Sequence, residues 1–476
     1  MKEKSASREL GINTIIFGIS TLGSKIVMFF LMPIYTTYLT TTQLGTAELV
    51  VNFMNLIYPI ASLNIISALL RFSMEKGNEK KDVLFNTLII TILGILISGI
   101  LLLIVHLNSS IEDWKEYLWI LLFTYSLEQI VSVYSKATDR TLDFAIGNIL
   151  YTVSLFVIST ILIIIFKRGT NAYFEGIILS NIVATIYFIF RLQLYKILKK
   201  SKIDIKLIKK MLIFSIPLIF NSISWWLNSF FDRFVLEHYH GESSVGIYSA
   251  SSKIPAIVTA VCSVFLQAWV LSAIKQYEEG SNSTFIKNVF KKFSALCVIV
   301  SSIIIILCKN IVFLINRGDF NQSWEFVPFL VCASMFGSIA GFFAAFYTSA
   351  KKNKDVMIST LISSSLNIIL NFILIPRYSI QGAVIATLIS QIVLAIYRIF
   401  NSRKFIKFDI NFKSFFTSTI IVLIQAYLTI KEANIGLNLI LSILVFLIYI
   451  NEIKSMIKLT YEKIVKLKKK ISKKEM

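Results

Sequence analysis

The chain has 476 residues, of which 56% are hydrophobic and only 16% charged, with a mean hydropathy of +0.73. Water-soluble domains run about 45–50% apolar and about 25% charged, so an ordinary soluble globular fold is excluded. The net charge of +21 invites a nucleic-acid reading, but most basic residues lie in short segments between apolar runs, which argues for a topology signal facing anionic lipid and for no nucleic acid.

Apolar runs of about 20 residues recur along the whole length, and the ten-residue alternation of a membrane β-barrel is missing. These runs predict an all-α integral membrane protein with about 14 transmembrane helices, at 13–35, 46–70, 83–107, 118–136, 144–166, 176–194, 211–235, 245–273, 293–314, 327–348, 357–375, 382–400, 415–430 and 436–450. No cleavage pattern follows the first run, which is expected to stay as an anchor. Fourteen spans sort the connecting segments into two sets. The set holding both termini carries 35 Lys and Arg, and the opposite set carries 6. Short basic loops stay inside, so both termini are expected to be cytoplasmic, with the protein in the bacterial inner membrane.

The first span contains "GISTLGSKIVMFFLMPIY" (18–35), with Lys25 at its centre. Twelve residues into a helix, Lys25 lies about 18 Å from the inner end. A cation at that depth costs about 2.5–3.5 kcal/mol or more unless it meets a wet cavity or a partner. Its neighbours at helical steps, Gly18, Thr21 and Met28, form a small, partly polar face. Either this face lines a cavity or Lys25 pairs with a carboxylate and joins two helices.

Span 2 presents Glu48, Asn52, Asn55 and Ser62 at helical steps, and span 4 presents Glu128, Ser132 and Lys136. Span 7 presents Asn221, Ser224, Asn228 and Asp232, followed by Arg233. Span 8 carries Lys253, and span 11 carries Ser359, Ser363, Asn367 and Asn371. A single polar stripe is explained by interhelical hydrogen bonding. Stripes along spans in both halves favour an aqueous cavity, with Lys25, Lys253, Asn52, Asn55, Asn228 and Asn367 as candidate substrate-binding residues. Two deep cations suit an anionic cargo such as a pyrophosphate. Glu48 and Asp232 are candidates for carrying a coupling proton or sodium ion, or else they pair with Lys25 and Arg233.

The four cysteines all fall within spans and read as small buried hydrophobes. "HYH" (238–240) has no carboxylate or cysteine partner at ligand spacing, so neither a metal nor a cofactor is expected.

The chain repeats itself. "YLTTTQLGTAELV" (38–50) and "YHGESSVGIYSAS" (239–251) align Tyr38 with Tyr239 and Gly45 with Gly246, and "LSNIVATIY" (179–187) aligns with "ISQIVLAIY" (389–397). This gives an expected N-lobe at 1–194, a basic amphipathic cytoplasmic linker at 195–210 and a C-lobe at 211–400. Appended spans at 401–450 and a basic cytoplasmic tail at 451–476 complete the chain. Six spans per copy is even, so the repeats are parallel, an arrangement that sets a substrate site between them.

"SKIVMFFLMPIYTTYLTTTQLGTAELV", "DRFVLEHYHGESSVGIYSASSKI" and "NIILNFILIPRYSIQGAVIATLISQIV" resemble polysaccharide-biosynthesis flippases of the multidrug/oligosaccharidyl-lipid/polysaccharide (MOP) exporter superfamily. The resemblance, over about residues 10–450, implies two six-helix lobes forming a V-shaped central cavity. It implies undecaprenyl-pyrophosphate-linked glycan as cargo, moved by alternating access to the outer leaflet, with polysaccharide assembly proteins as further partners. Related lipid II flippases carry cavity cations on their first and eighth helices, which Lys25 and Lys253 match. They also carry one in the second, which is missing here and argues against a peptidoglycan precursor. Two other readings are a drug/cation antiporter of the same superfamily, disfavoured by lysines as the deepest charges, and a polysaccharide-modifying membrane enzyme. The outer loops, about 5–13 residues long, show no catalytic constellation, so the chain is expected not to be an enzyme.

Overall fold

The computed structural model describes residues 27, 30–75, 77–104, 109–278, 283–350, 352–406 and 412–455. Lys25, most of the first expected span and residues 456–476 of the tail lie outside the described residues. Among the described residues, eleven helices are long and apolar enough to cross a membrane, as the apolar runs predict. The second to thirteenth expected spans fall on these helices; spans 11 and 12 share one long segment, Asn353–Asn401, broken at Ser379 (φ 49°). The fourteenth is Ile435–Ile448, only 14 residues long, about 21 Å at 1.5 Å per residue and shorter than the hydrocarbon core.

The chain forms two compact units, Met1–Ala250 with Leu314–Asn321, and Ser251–Phe313 with Gln322–Met476. In the first unit, Thr41–Ala61 begins with a capping box: the Gln43 amide N–H donates to Thr40 Oγ1 (3.1 Å), and the Thr40 amide N–H donates to Gln43 Oε1 (3.0 Å). The second expected span is not one helix. After Pro59 the chain turns through Leu63 (φ 50°) and Asn64 (φ 47°) and resumes as Ile65–Met74. The Asn64 N–H reaches back to Pro59 O (2.9 Å), so the break keeps its backbone satisfied, as a low-dielectric surrounding demands.

Lys80–Ile104 turns Leu93, Leu96, Ile97, Ile100 and Leu101 outward as a broad apolar band, the surface a lipid-facing helix needs. The expected linker is largely exposed but is not a separate element at its C-terminal end. Residues 205–210 are already the first turns of the long helical segment Ile205–Lys253, with Leu207 and Met211 buried. Before them the Asp82 carboxylate accepts from the Lys202 N–H (2.9 Å), and Asn86 Oδ1 accepts from the Asp204 N–H (3.2 Å). Ile203 and Ile205 remain exposed among the lysines.

The compact unit runs past this linker to Ala250, because the seventh span packs on Thr41–Ala61. There Trp226 Nε1 donates to Asn52 O (2.7 Å). Farther along, the segment bends at Gly241 (φ 76°), a left-handed conformation glycine adopts without strain. Beyond the bend, Gly45 and Gly246 permit a very close helix crossing. A Cβ on Gly45 would sit 1.8 Å from Glu242 O, and one on Gly246 would sit 2.0 Å from Thr41 O. Thr41 and Glu242 are equivalent in the repeat that pairs Gly45 with Gly246. The contact is therefore reciprocal, the pattern expected of two like segments around a local dyad.

In the second unit, Val327–Ser349 is the central helix and is buried on nearly every side. Trp269 stacks on Phe342 at 4.4 Å, and its indole N–H donates to Phe342 O (3.0 Å). The appended helices are tied on through buried polar contacts. Ser302 Oγ donates to Gln425 Oε1 (2.9 Å), while Gln425 Nε2 donates to Ser302 O (3.2 Å) and to Ser442 Oγ (3.0 Å). All four cysteines are buried in this unit, with the Cys262 and Cys297 sulfurs 3.2 Å apart as free thiols.

Candidate functional site

The glycine crossing determines which side chains meet. Glu48 lies one turn beyond Gly45, and Ser249 lies one turn beyond Gly246. Glu48 is buried, 7% exposed, and accepts from the Tyr173 hydroxyl on Thr170–Arg191 (Tyr173 Oη to Glu48 Oε1, 3.2 Å). The Tyr173 ring packs at 4.9 Å on Tyr35, whose hydroxyl donates to Ser159 (3.4 Å).

Asp232 is equally buried and accepts from the Tyr248 hydroxyl and from the Arg233 guanidinium (Nη1 to Oδ1, 3.3 Å). Arg233 also donates from Nε to Ser249 Oγ (3.3 Å) and from Nη1 to Ser229 O (3.2 Å). Its guanidinium carbon stands 5.2 Å from the centre of the Tyr248 ring, a cation–π contact. Glu48 is within electrostatic reach of the same guanidinium. The two expected ion-coupling carboxylates thus belong to one buried network within the first unit, with Arg233 as its cation and two tyrosines as neutral donors.

The expected substrate-binding residues are more dispersed. Asn52 is 3% exposed; its carbonyl receives Trp226, and its Nδ2 has no hydrogen-bond partner. Asn55 is partly exposed. In the second unit Asn367 is buried and committed, donating to Ser390 Oγ (3.4 Å) and accepting from Asn371 Nδ2 (3.0 Å). Lys253 is exposed, at the end of its helix and just before Pro255. The Asn228 side chain, like Lys25, lies outside the described residues.

The aromatic hydroxyls were not anticipated. Tyr248 counted as apolar within span 8 and Tyr173 fell just before span 6, and nothing in the sequence alone ties either to its carboxylate partner on another span. A recess of about 430 Å³ in the same unit is lined by Asp113, Glu242, Trp114 and three threonines among others. Two carboxylates and no cation on its walls make it unsuited to a pyrophosphate. Among the described residues no three His, Cys, Asp or Glu side chains are placed to hold a metal ion.

The polysaccharide biosynthesis protein family model matches residues 10–271. The chain belongs to that family. A MatE family model matches residues 217–373. Over 205 residues, 41% of the chain, it is 26% identical to the capsular polysaccharide biosynthesis protein CapF of Staphylococcus aureus. The match covers 51% of CapF, so the chain spans about half the length of that curated relative. In fold it is similar to the lipid II flippase MurJ in an inward closed conformation. The TM-score is 0.69 with 17% identity, covering 95% of this chain and all of the other. It is also similar to an inward-facing multidrug resistance MATE family transporter, with a TM-score of 0.66 and 16% identity over 80% of this chain and 94% of that one. Family and fold together make it a multi-pass membrane protein of the MOP superfamily of transporters and flippases.

Proposed function

We propose that the protein is a flippase that carries undecaprenyl-pyrophosphate-linked oligosaccharide from the inner to the outer leaflet by alternating access, driven by a proton or sodium gradient. The carrying observation is the polysaccharide-biosynthesis match over 10–271, which takes in both Lys25 and Lys253. The capsular relative and the flippase fold support the same reading. In it, residues 1–194 and 211–400 act as two six-helix lobes, both termini face the cytoplasm of a bacterial inner membrane, and the basic linker and tail rest on anionic lipid. Lys25 and Lys253 supply positive charge to the pyrophosphate, while the asparagines meet the glycan or its waters. Glu48 and Asp232 are the first candidates for ion coupling.

Losing one charge from a low-dielectric phosphate contact costs about 1.5–3 kcal/mol, roughly 10- to 150-fold in binding. Lys25→Ala is therefore expected to cut transport of the lipid-linked sugar by roughly that factor at normal membrane abundance, and Lys25→Arg is expected to retain much of it. Export is read as surface glycan per unit of membrane-inserted protein. A well-expressed Lys25→Ala with normal export would remove Lys25 from the cargo path. The MatE match over 217–373 favours a second reading, a drug/cation antiporter; that activity would survive Lys25→Ala and appear as dye extrusion.

A further inference from the structure

We propose that Glu128 is a proton-binding site: it rests as the neutral carboxylic acid inside the first unit and gives up its proton during the transport cycle. The second half of this proposal rests on the transport reading above; the first half stands without it.

Glu128 lies near the middle of the membrane-spanning helix Lys115–Ala137 and is only 4% exposed. Its sole hydrogen bond among the described residues comes from a neutral group, Gln129 Nε2 to Oε2 at 3.0 Å. The groups around it are aromatic: Tyr125 on its own helix, Tyr58 on Thr41–Ala61 and Tyr151 on Thr141–Ile164 are within electrostatic reach. The Tyr58 and Tyr125 rings meet edge to face at 5.0 Å. One turn along the same helix, Thr124 receives the Asn181 amide (3.5 Å), and the buried Asn181 Oδ1 has no hydrogen-bond partner. An open acceptor thus stands on the face that carries the acid.

The cations and acids named below, on the described helices packed against this one, are engaged elsewhere. On Thr41–Ala61, Glu48 accepts from Tyr173. On Ile65–Met74, Arg71 lies over the Phe214 ring. On Lys80–Ile104 the charges are in the first turn, with Lys80 bonded to Ala137 O, Lys81 to Glu79 and Asp82 to the Lys202 N–H. On Thr141–Ile164, Asp143 pairs with Arg140 and Arg191 at 2.7 Å each and also accepts from Tyr187. On Thr170–Arg191, Glu175 pairs with Arg168 and Tyr117. On its own helix, Lys115 pairs with Glu112, and Lys136 sits two turns away over Phe144.

A carboxylate ionised in this setting has no described cation to offset its desolvation, whereas the neutral acid does not carry that penalty. Intramembrane acids in such surroundings take and release protons. Release requires the surroundings to change, by admitting water or a cation, which a conformational cycle supplies.

The test uses purified full-length protein in lipid nanodiscs and infrared difference spectra across pH. The expected result is a protonated-acid carbonyl band at neutral pH that fades at alkaline pH and is missing from Glu128→Gln. Glu128→Asp, the conservative variant, should show the band shifted rather than lost. An Oε-ionised Glu128 at neutral pH, as a pair with the Lys25 ammonium would give, shows no band sensitive to Glu128→Gln and overturns the proposal. Sodium that abolishes the band at constant pH overturns it in favour of a metal cation. In proteoliposomes, Glu128→Gln should lose the response of transport to an imposed pH gradient; an unchanged response overturns the coupling half. The infrared result does not depend on cargo, so it stands or falls separately from the flippase reading.

Discussion

Arg233→Met is expected to lower stability by about 3–5 kcal/mol, the cost of stripping one partner from a buried ion pair. Among the described residues, the mutation leaves the buried Asp232 with the Tyr248 hydroxyl and the neighbouring backbone to answer its charge. It also removes a cation within electrostatic reach of Glu48. Thermal unfolding in detergent and the amount of protein recovered from membranes should both fall sharply. Adding Asp232→Asn should restore much of the loss, because the asparagine has no charge to desolvate and still accepts from Tyr248. Arg233→Lys should fall between, since a lysine cannot reach Ser249, Ser229 and Asp232 at once as the guanidinium does. A melting temperature for Arg233→Met equal to that of the unmodified protein would mean that this network carries no stability.

Gly45→Ala and Gly246→Ala should each cost about 3 kcal/mol, the upper end of the usual overpacking range. The atoms each new methyl would strike are backbone carbonyls, at 1.8 and 2.0 Å, so no side chain can swing aside to make room. The two helices must separate. Separation loosens the Thr41–Ser243 contact (2.8 Å) and draws the Thr46 hydroxyl from Glu242. Once the helices are apart, the second methyl meets less resistance, so the double variant should fall short of the sum of the singles. Additive losses in unfolding experiments would show that the two glycines are not one contact.

The helices themselves were legible wherever hydrophobicity ran unbroken, as in Lys80–Ile104 and Thr141–Ile164. Not all of their interruptions were. Pro59 precedes the break at Leu63–Asn64, but the apolar run continues across it, and hydropathy does not register a backbone that satisfies itself locally. The turn at Ser379 falls in the expected gap between spans 11 and 12, and the two helices it separates bond back on each other through Asn367–Ser390 and Ser359–Arg398. The repeat was legible down to Gly45 and Gly246, yet alignment alone gave no hint that the two copies touch. At the candidate site the carboxylates Glu48 and Asp232 stood out because charge is rare in an apolar run. Their tyrosine donors did not, because a phenol looks apolar until its hydroxyl finds a partner. Glu128 was visible as one member of a polar stripe; that its stripe faces three tyrosines and no described cation depends on how five helices pack around it.

The central claim is that this chain moves a lipid-linked glycan across a bilayer. Its most direct measurement uses proteoliposomes loaded with undecaprenyl-pyrophosphate-linked oligosaccharide and an impermeant reagent that oxidises or binds glycan only on the exposed leaflet. With an ion gradient imposed, the account predicts that the protected glycan becomes accessible at a rate set by the protein, and that Lys25→Ala slows this by roughly 10- to 150-fold. Glycan that stays protected in liposomes holding folded protein, while a lipophilic cation is driven out by the same gradient, would contradict it.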